Sequence, residues 1–139
     1  SQFVVVAIDA RHQPLAPDQA EADALWTVCT HGGTQPTDRE LYSWAHEAQE
    51  RGAGEILFTS MNHDGTKHGY PCTTYARLTA GLRIPVIASG GAGSAHDIAE
   101  VLAKGHADAA LAASIFHYGE ITIPELKQAL SHEGIPVRL

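Results

Sequence analysis

Two aspartates, a run of glycines and several small hydroxyl residues sit where apolar runs end. Asp9 follows the run from Phe3 to Ile8. Thr59 and Ser60 close the run from Glu55 and lead into a loop carrying Asp64. Ser89, Gly90, Gly91 and Gly93 follow Pro85 to Ala88, and Ala113 and Ser114 follow Ala107 to Ala112. In sheets of parallel strands, ligands and catalysis gather at such strand ends. A carboxylate there can accept or donate a proton, although an aspartate can equally cap a loop or helix. Three glycines between a strand and a helix start let backbone N–H groups approach an anion, which makes Ser89-Gly90-Gly91-Ala92-Gly93-Ser94 a phosphate cradle, or else a turn that only connects two elements. Thr59, Ser60 and Ser89 are neutral hydrogen-bonders that can orient a ligand or simply end their strands.

The elements that must position these groups follow from periodicity. Phe3 to Ile8 is continuously apolar and β-branched, as in a strand covered on both faces. A two-residue period puts Asp9 on the face of Ala7, Val5 and Phe3, with Val4, Val6 and Ile8 turned toward helices. Arg11 to Pro36 is a long excursion with a short β-like stretch, Leu25 to Thr30, and loops of that length are usually functional or mobile. Thr37 and Glu40 read as a capping box ahead of a stripe of Leu41, Trp44, Ala45 and Ala48. Further helices are expected from about Cys72 to Gly81 with Tyr75, Leu78 and Leu82 on the apolar face, after Ser94 with Ile98, Val101 and Leu102 inward, and from Pro124 to His132. Gly105 ends the Ser94 helix, and Ser114 to Tyr118 reads as a short turn. Strands alternating with helices at this spacing imply right-handed crossovers and a parallel sheet.

Composition bounds the function. The chain has 139 residues, 44% hydrophobic and 18% charged, with a net charge of −7. That is an ordinary soluble composition without a transmembrane run, and the acidic balance argues against nucleic acid while leaving room for a local phosphate pocket. Cys29 and Cys72 are expected as free thiols in a reducing cytoplasm. The apolar run at the start lacks the basic lead and cleavage pattern of a signal peptide. His12, His31, His46, His63, His68, His96, His106, His117 and His132 form no metal-ligating pair with a catalytic glutamate, so no metal is expected. Trp26 reads as a loop anchor and Trp44 as helix core.

Six segments, VVVAIDA (4–10), THGG (30–33), RGAGEIL (51–57), DGTKHGY (64–70), IASGGAG (87–93) and LAASIFH (111–117), occur in an order that resembles the cyclase subunit of imidazole glycerol phosphate synthase in histidine biosynthesis. A barrel isomerase of the same pathway is similar in phosphate-binding style, but GAGEIL followed by DGT and LAASIFH favours the cyclase. The resemblance covers the second half of such a protein. It implies an α/β fold, the (β/α)4 half of a TIM (β/α)8 barrel, forming a single domain over 1–139; a complete barrel typically needs ~250 residues.

The resemblance further implies that Asp9 is one of two catalytic carboxylates and that Asp64 lines the same pocket. Gly90 and Gly91 would bind one substrate phosphate, with Ala113 and Ser114 completing that site. The other catalytic carboxylate would belong to the first half. The substrate would be a bis-phosphorylated, ribulosyl-bearing aminoimidazole carboxamide, with ammonia delivered from a glutaminase subunit docked at the opposite face, and no cofactor. Departures from the commoner pattern fall at Met61-Asn62-His63 and Pro71. The expectation is a chain nearly inactive alone, the alternative an inactive phosphate-binding or self-assembling module. Val5, Ala7, Leu57, Ile87 and Leu111 would line a concave face between unpaired edge strands, which predicts a homodimer or larger even oligomer.

Overall fold

A computed structural model describes residues 4–139, so the Phe3 end of the first apolar run lies outside the described residues. That run forms β1 (Val5–His12), and it is followed by a 3₁₀ turn (Glu21–Asp23), β2 (Trp26–Thr30), β3 (Gln35–Glu40) and α1 (Leu41–Glu50). Three further β/α units follow: β4 (Glu55–Ser60) with α2 (Cys72–Ala80), β5 (Val86–Ser89) with α3 (Ala95–Ala103), and β6 (Ala109–Leu111) with the short α4 (Ser114–His117) and α5 (Ile123–His132). One six-stranded sheet runs in the order β3-β2-β1-β4-β5-β6. From β1 through β6 the pairs are parallel, whereas β2 and β3 pair antiparallel.

The parallel register sorts the side chains into two faces. Ile8 aligns with Phe58 and Ala88, and Val6 with Ile56 and Val86. Ile8, Phe58, Ala88, Ile56 and Val86 are all buried, in one core with Leu41, Ala45, Tyr75, Leu78, Ile98 and Val101 from the helices. Each large apolar side chain buried there contributes roughly 1.5–3 kcal/mol. The opposite face is uncovered: Val5 and Leu111 are 50% and 46% exposed, while Leu57 and Ile87, aligned with each other, are half-buried.

The excursion after β1 departs from the sequence expectation. Its expected β-like stretch forms β2, but β2 also pairs with the Asp9–His12 end of β1 and with a second strand, β3, as a β-hairpin where no such pairing was expected. β1 is thus not an open edge along its whole length; among the described residues only its Val5–Ile8 segment lacks a second partner strand. Trp26 is core rather than loop anchor, 2% exposed and packed edge-on against Phe58, and its indole N–H donates to the Thr74 hydroxyl at 3.1 Å. The helix expected from Thr37 begins at Leu41. Glu40 is itself the cap, its carboxylate accepting from the N–H groups of Tyr42 and Ser43, and Thr37 instead donates its hydroxyl to the Val28 carbonyl within the hairpin. Trp44 is only half-buried, with the Arg39 guanidinium 4.2 Å over its ring. Ser94 caps α3 and Thr122 caps α5 with Glu125, which puts Pro124 in the first turn as expected.

Tyr75 joins α2 to the strand ends. Its ring is fully buried, its hydroxyl donates to the Phe58 carbonyl at 2.6 Å, accepts from the Ser89 N–H at 3.1 Å and lies 3.2 Å from the Ser89 carbonyl. Removing that oxygen strands a buried donor and a buried acceptor. Tyr75→Phe is therefore expected to lower stability by about 1–3 kcal/mol in urea unfolding; an unchanged midpoint would show that the hydroxyl is dispensable.

Candidate functional site

Register builds the site from the sheet outward. Asp9 pairs with Thr59, Thr59 with Ser89, and Ser89 with Leu111, so one lateral row crosses all four parallel strands on the uncovered face. The row beneath it, Ala7, Leu57, Ile87 and Ala109, is apolar. The carboxylate and two hydroxyls thus sit on an apolar floor at the strand C-termini. Ser60 does not join them. It aligns with Ala10 on the helix-facing side, is fully buried, and its Oγ lies 2.6 Å from His63 Nδ1.

The loop from Met61 to Tyr70 wraps over the glycine-rich segment. Gly90 has a φ of 85°, and a Cβ there would lie 2.8 Å from the Ser60 carbonyl, 3.2 Å from Asp64 Cβ and 3.3 Å from Thr59 Cγ2. Gly91, at φ 137°, would place a Cβ 2.2 Å from the Gly69 carbonyl oxygen, while the Gly91 carbonyl accepts from the Gly69 N–H at 2.8 Å. The glycines therefore admit another loop, and that loop brings Asp64 beside Thr59 and Gly90. Gly90, Gly91 and Ala92 are buried, yet their N–H groups have no hydrogen-bond partner among the described residues. Consecutive donors of this kind form an anion-binding concavity. The Gly93 N–H is already committed to Asp97 Oδ2 at 2.9 Å.

Ala113 and Ser114 follow β6 next to this loop in the sheet order, Ser114 half-buried and Ala113 exposed. The Tyr70 hydroxyl, donating to the Leu111 carbonyl at 2.9 Å, ties the two neighbourhoods together. Burial pushes the phenols of Tyr70 and Tyr75 well above their usual range, and it raises the Cys72 thiol to about 11. None of these three is a proton carrier near neutrality. Both cysteines are free. Beyond Asp9, the same face continues through Arg11 and Thr27 into a cavity of about 870 Å³ also lined by His12, Pro36, Met61 and Asn62.

Several supporting residues carried no recognisable signal in the sequence. Asn62 accepts from the His12 N–H at 2.9 Å and donates to the His12 carbonyl at 3.3 Å, which extends the β1 edge into the Asp64 loop. Arg11 donates to the Gly33 carbonyl and pins the hairpin turn. Glu21 accepts from the N–H and hydroxyl of Thr74, in the first turn of α2, which has no side-chain cap of its own. Such long-range pairs have no sequence periodicity to reveal them. Among the described residues no group of three or more His, Cys, Asp or Glu side chains gathers to hold a metal ion, and no helix is long and apolar enough to cross a membrane.

Four parallel β/α units with their polar row at the strand C-termini define half of a (β/α)8 barrel. The chain belongs to the family described as histidine biosynthesis protein, whose model matches residues 1–122. Among curated relatives, subunit HisF of imidazole glycerol phosphate synthase from Phocaeicola vulgatus is 54% identical over 139 residues, covering all of this chain and 52% of that protein. The HisF subunits of Bacillus licheniformis and Halalkalibacterium halodurans are 51% and 49% identical over 138 residues, each covering 99% of this chain and 52% of the relative. The chain thus spans about half the length of the curated relatives it matches.

His63 makes the Asp64 loop sensitive to acid. Burial, then the nearby His12 charge, pulls its pKa below the ordinary histidine value of about 6.5. Because the folded state favours the neutral ring, the unfolded chain takes up the proton first, and stability falls as pH drops through the ordinary value toward the lowered one. His63→Gln is expected to lose less of its urea midpoint between pH 7.5 and pH 5.5 than the parent chain; equal losses would show that His63 does not carry the effect.

Proposed function

We propose that these residues are the C-terminal four β/α units of the cyclase barrel of imidazole glycerol phosphate synthase. That enzyme closes an imidazole ring from a bis-phosphorylated, ribulosyl-bearing aminoimidazole carboxamide and ammonia in cytoplasmic histidine biosynthesis. The observation that carries this reading is the lateral alignment of Asp9, Thr59 and Ser89 beside the N–H groups of Gly90, Gly91 and Ala92, which have no partner among the described residues. Asp9 serves as a general acid and base, its carboxylate free to exchange a proton with the substrate on the open face. The Thr59 and Ser89 hydroxyls orient the ribulosyl chain, and Asp64 lines the same rim. One phosphate sits on Gly90 and Gly91, with Ala113 and Ser114 closing it from the next strand. The second catalytic carboxylate comes from the other four units. Ammonia arrives from a glutaminase subunit at the N-terminal face of the strands.

A matching N-terminal half, added in trans, is expected to give ammonia-dependent cyclase activity that Asp9→Asn reduces by at least about a hundredfold. Full activity of this chain as a demonstrated monomer, or rescued activity indifferent to Asp9→Asn, contradicts the assignment.

The uncovered sheet face favours self-association as a property of these residues. Val5, Ala7, Leu57, Ile87 and Leu111 cannot all remain in water at low energetic cost, and β6 and the Val5–Ile8 part of β1 offer unpaired edges. Two copies about a two-fold axis close such an arc. Sedimentation is expected to give a dimer or larger even oligomer at micromolar concentration, and a well-folded monomer would remove this reading without touching the first.

A further inference from the structure

Lys67 lies in the Asp64 loop, and the roles assigned above do not account for it. Its backbone is left-handed, with φ at 60°, a conformation that residues bearing a Cβ adopt at a cost. The position is held by contact, since a Cβ on Gly93 would lie only 2.1 Å from the Lys67 carbonyl oxygen. The side chain then leaves this fixed point toward the turn after α4. There its ammonium pairs with Glu120 and lies 5.3 Å from the centre of the Tyr118 ring.

Stability does not explain the arrangement. The lysine and glutamate side chains are 35% and 41% exposed, and a part-exposed ion pair contributes little to folding. What the arrangement does achieve is positional. A point charge on a flexible four-carbon stem is anchored against Gly93 of the glycine-rich loop and reaches the turn after α4, the short helix that Ser114 opens. The Glu120 carboxylate that holds the ammonium is exposed enough for water to solvate it without the lysine.

Resting on the phosphate reading of the Gly90–Ala92 loop, we propose that Lys67 is a further phosphate-binding residue and that its pair with Glu120 is a resting latch which a phosphate monoester displaces. The ammonium is then shared between competing anions. Glu120 opposes binding twice, by holding the lysine and by repelling the incoming charge. The two members of the ion pair therefore have opposite effects on affinity, which a purely structural strap would not produce.

Calorimetric titration of this chain with inorganic phosphate and with glycerol 3-phosphate, at fixed ionic strength, tests the proposal. Lys67→Met is expected to weaken binding by about tenfold and Glu120→Gln to tighten it severalfold, with Lys67→Arg retaining most of the affinity. Lys67→Asn, whose side chain tolerates left-handed backbone, serves as the second neutral variant, and circular dichroism melting verifies that each variant is folded. Equal weakening by Lys67→Met and Glu120→Gln makes the pair a structural strap and overturns the latch. Affinity unchanged in both neutral lysine variants removes Lys67 from the site while leaving the glycine loop as the binding element. Absence of phosphate binding by the parent chain overturns the underlying reading and the latch with it.

Discussion

Backbone contact between two loops is the constraint on which the rest of the site depends. Gly90, Gly91 and Gly93 lie against the carbonyls of Ser60, Gly69 and Lys67, in each case too close for a Cβ. Beside this contact the N–H groups of Gly90, Gly91 and Ala92 have no hydrogen-bond partner among the described residues, and the contact brings Asp64 beside Thr59 and fixes the base from which Lys67 extends. A side chain at Gly91 would meet the Gly69 carbonyl head-on, so substitutions there disturb the Asp64 loop as well as any ligand. Chemistry at the rim is therefore probed more cleanly through Asp9, Lys67 and Glu120 than through the glycines.

The sheet supports this contact asymmetrically. One face is sealed by helices through Ile8, Ile56, Phe58 and Val86, and Tyr75 welds that core to the strand ends. The other face carries the polar row on an uncovered apolar floor. That division is the arrangement of a barrel wall with its lumen opened, in keeping with a family member that spans about half of its relatives. The hairpin of β2 and β3 is an addition to the barrel plan. It covers the upper edge of β1 and leaves the lower edge, where a barrel neighbour would pair.

The parallel β/α units were legible because each strand is an apolar run ending in small polar residues and each helix has a cap or stripe. The β-like stretch that forms β2 was legible as well, but its partner β3 was not. Gln35-Pro36-Thr37-Asp38-Arg39-Glu40 has no apolar period, and its strand character comes from pairing with β2 rather than from its own residues. The same absence makes Thr37 read as a helix cap, whereas its hydroxyl donates to the Val28 carbonyl. At the site, alternation along β1 put Asp9 on the open face, and the same alternation applied to β4 separates Thr59 from Ser60. Position at a strand end alone puts Ser60 on the rim, whereas its face puts it in the core. The glycines signalled close approach, but sequence does not say whether a ligand or another loop does the approaching. Here a loop does, lying against Gly90, Gly91 and Gly93.

The central claim is that the N–H groups of Gly90, Gly91 and Ala92, which have no partner among the described residues, receive a phosphate. Amide chemical shifts followed by nuclear magnetic resonance during a phosphate titration test it directly. The account predicts saturable shifts concentrated at Gly90, Gly91 and Ala92, with Ser114 following the same isotherm. Shifts confined to other segments, or none at saturating phosphate, would contradict it.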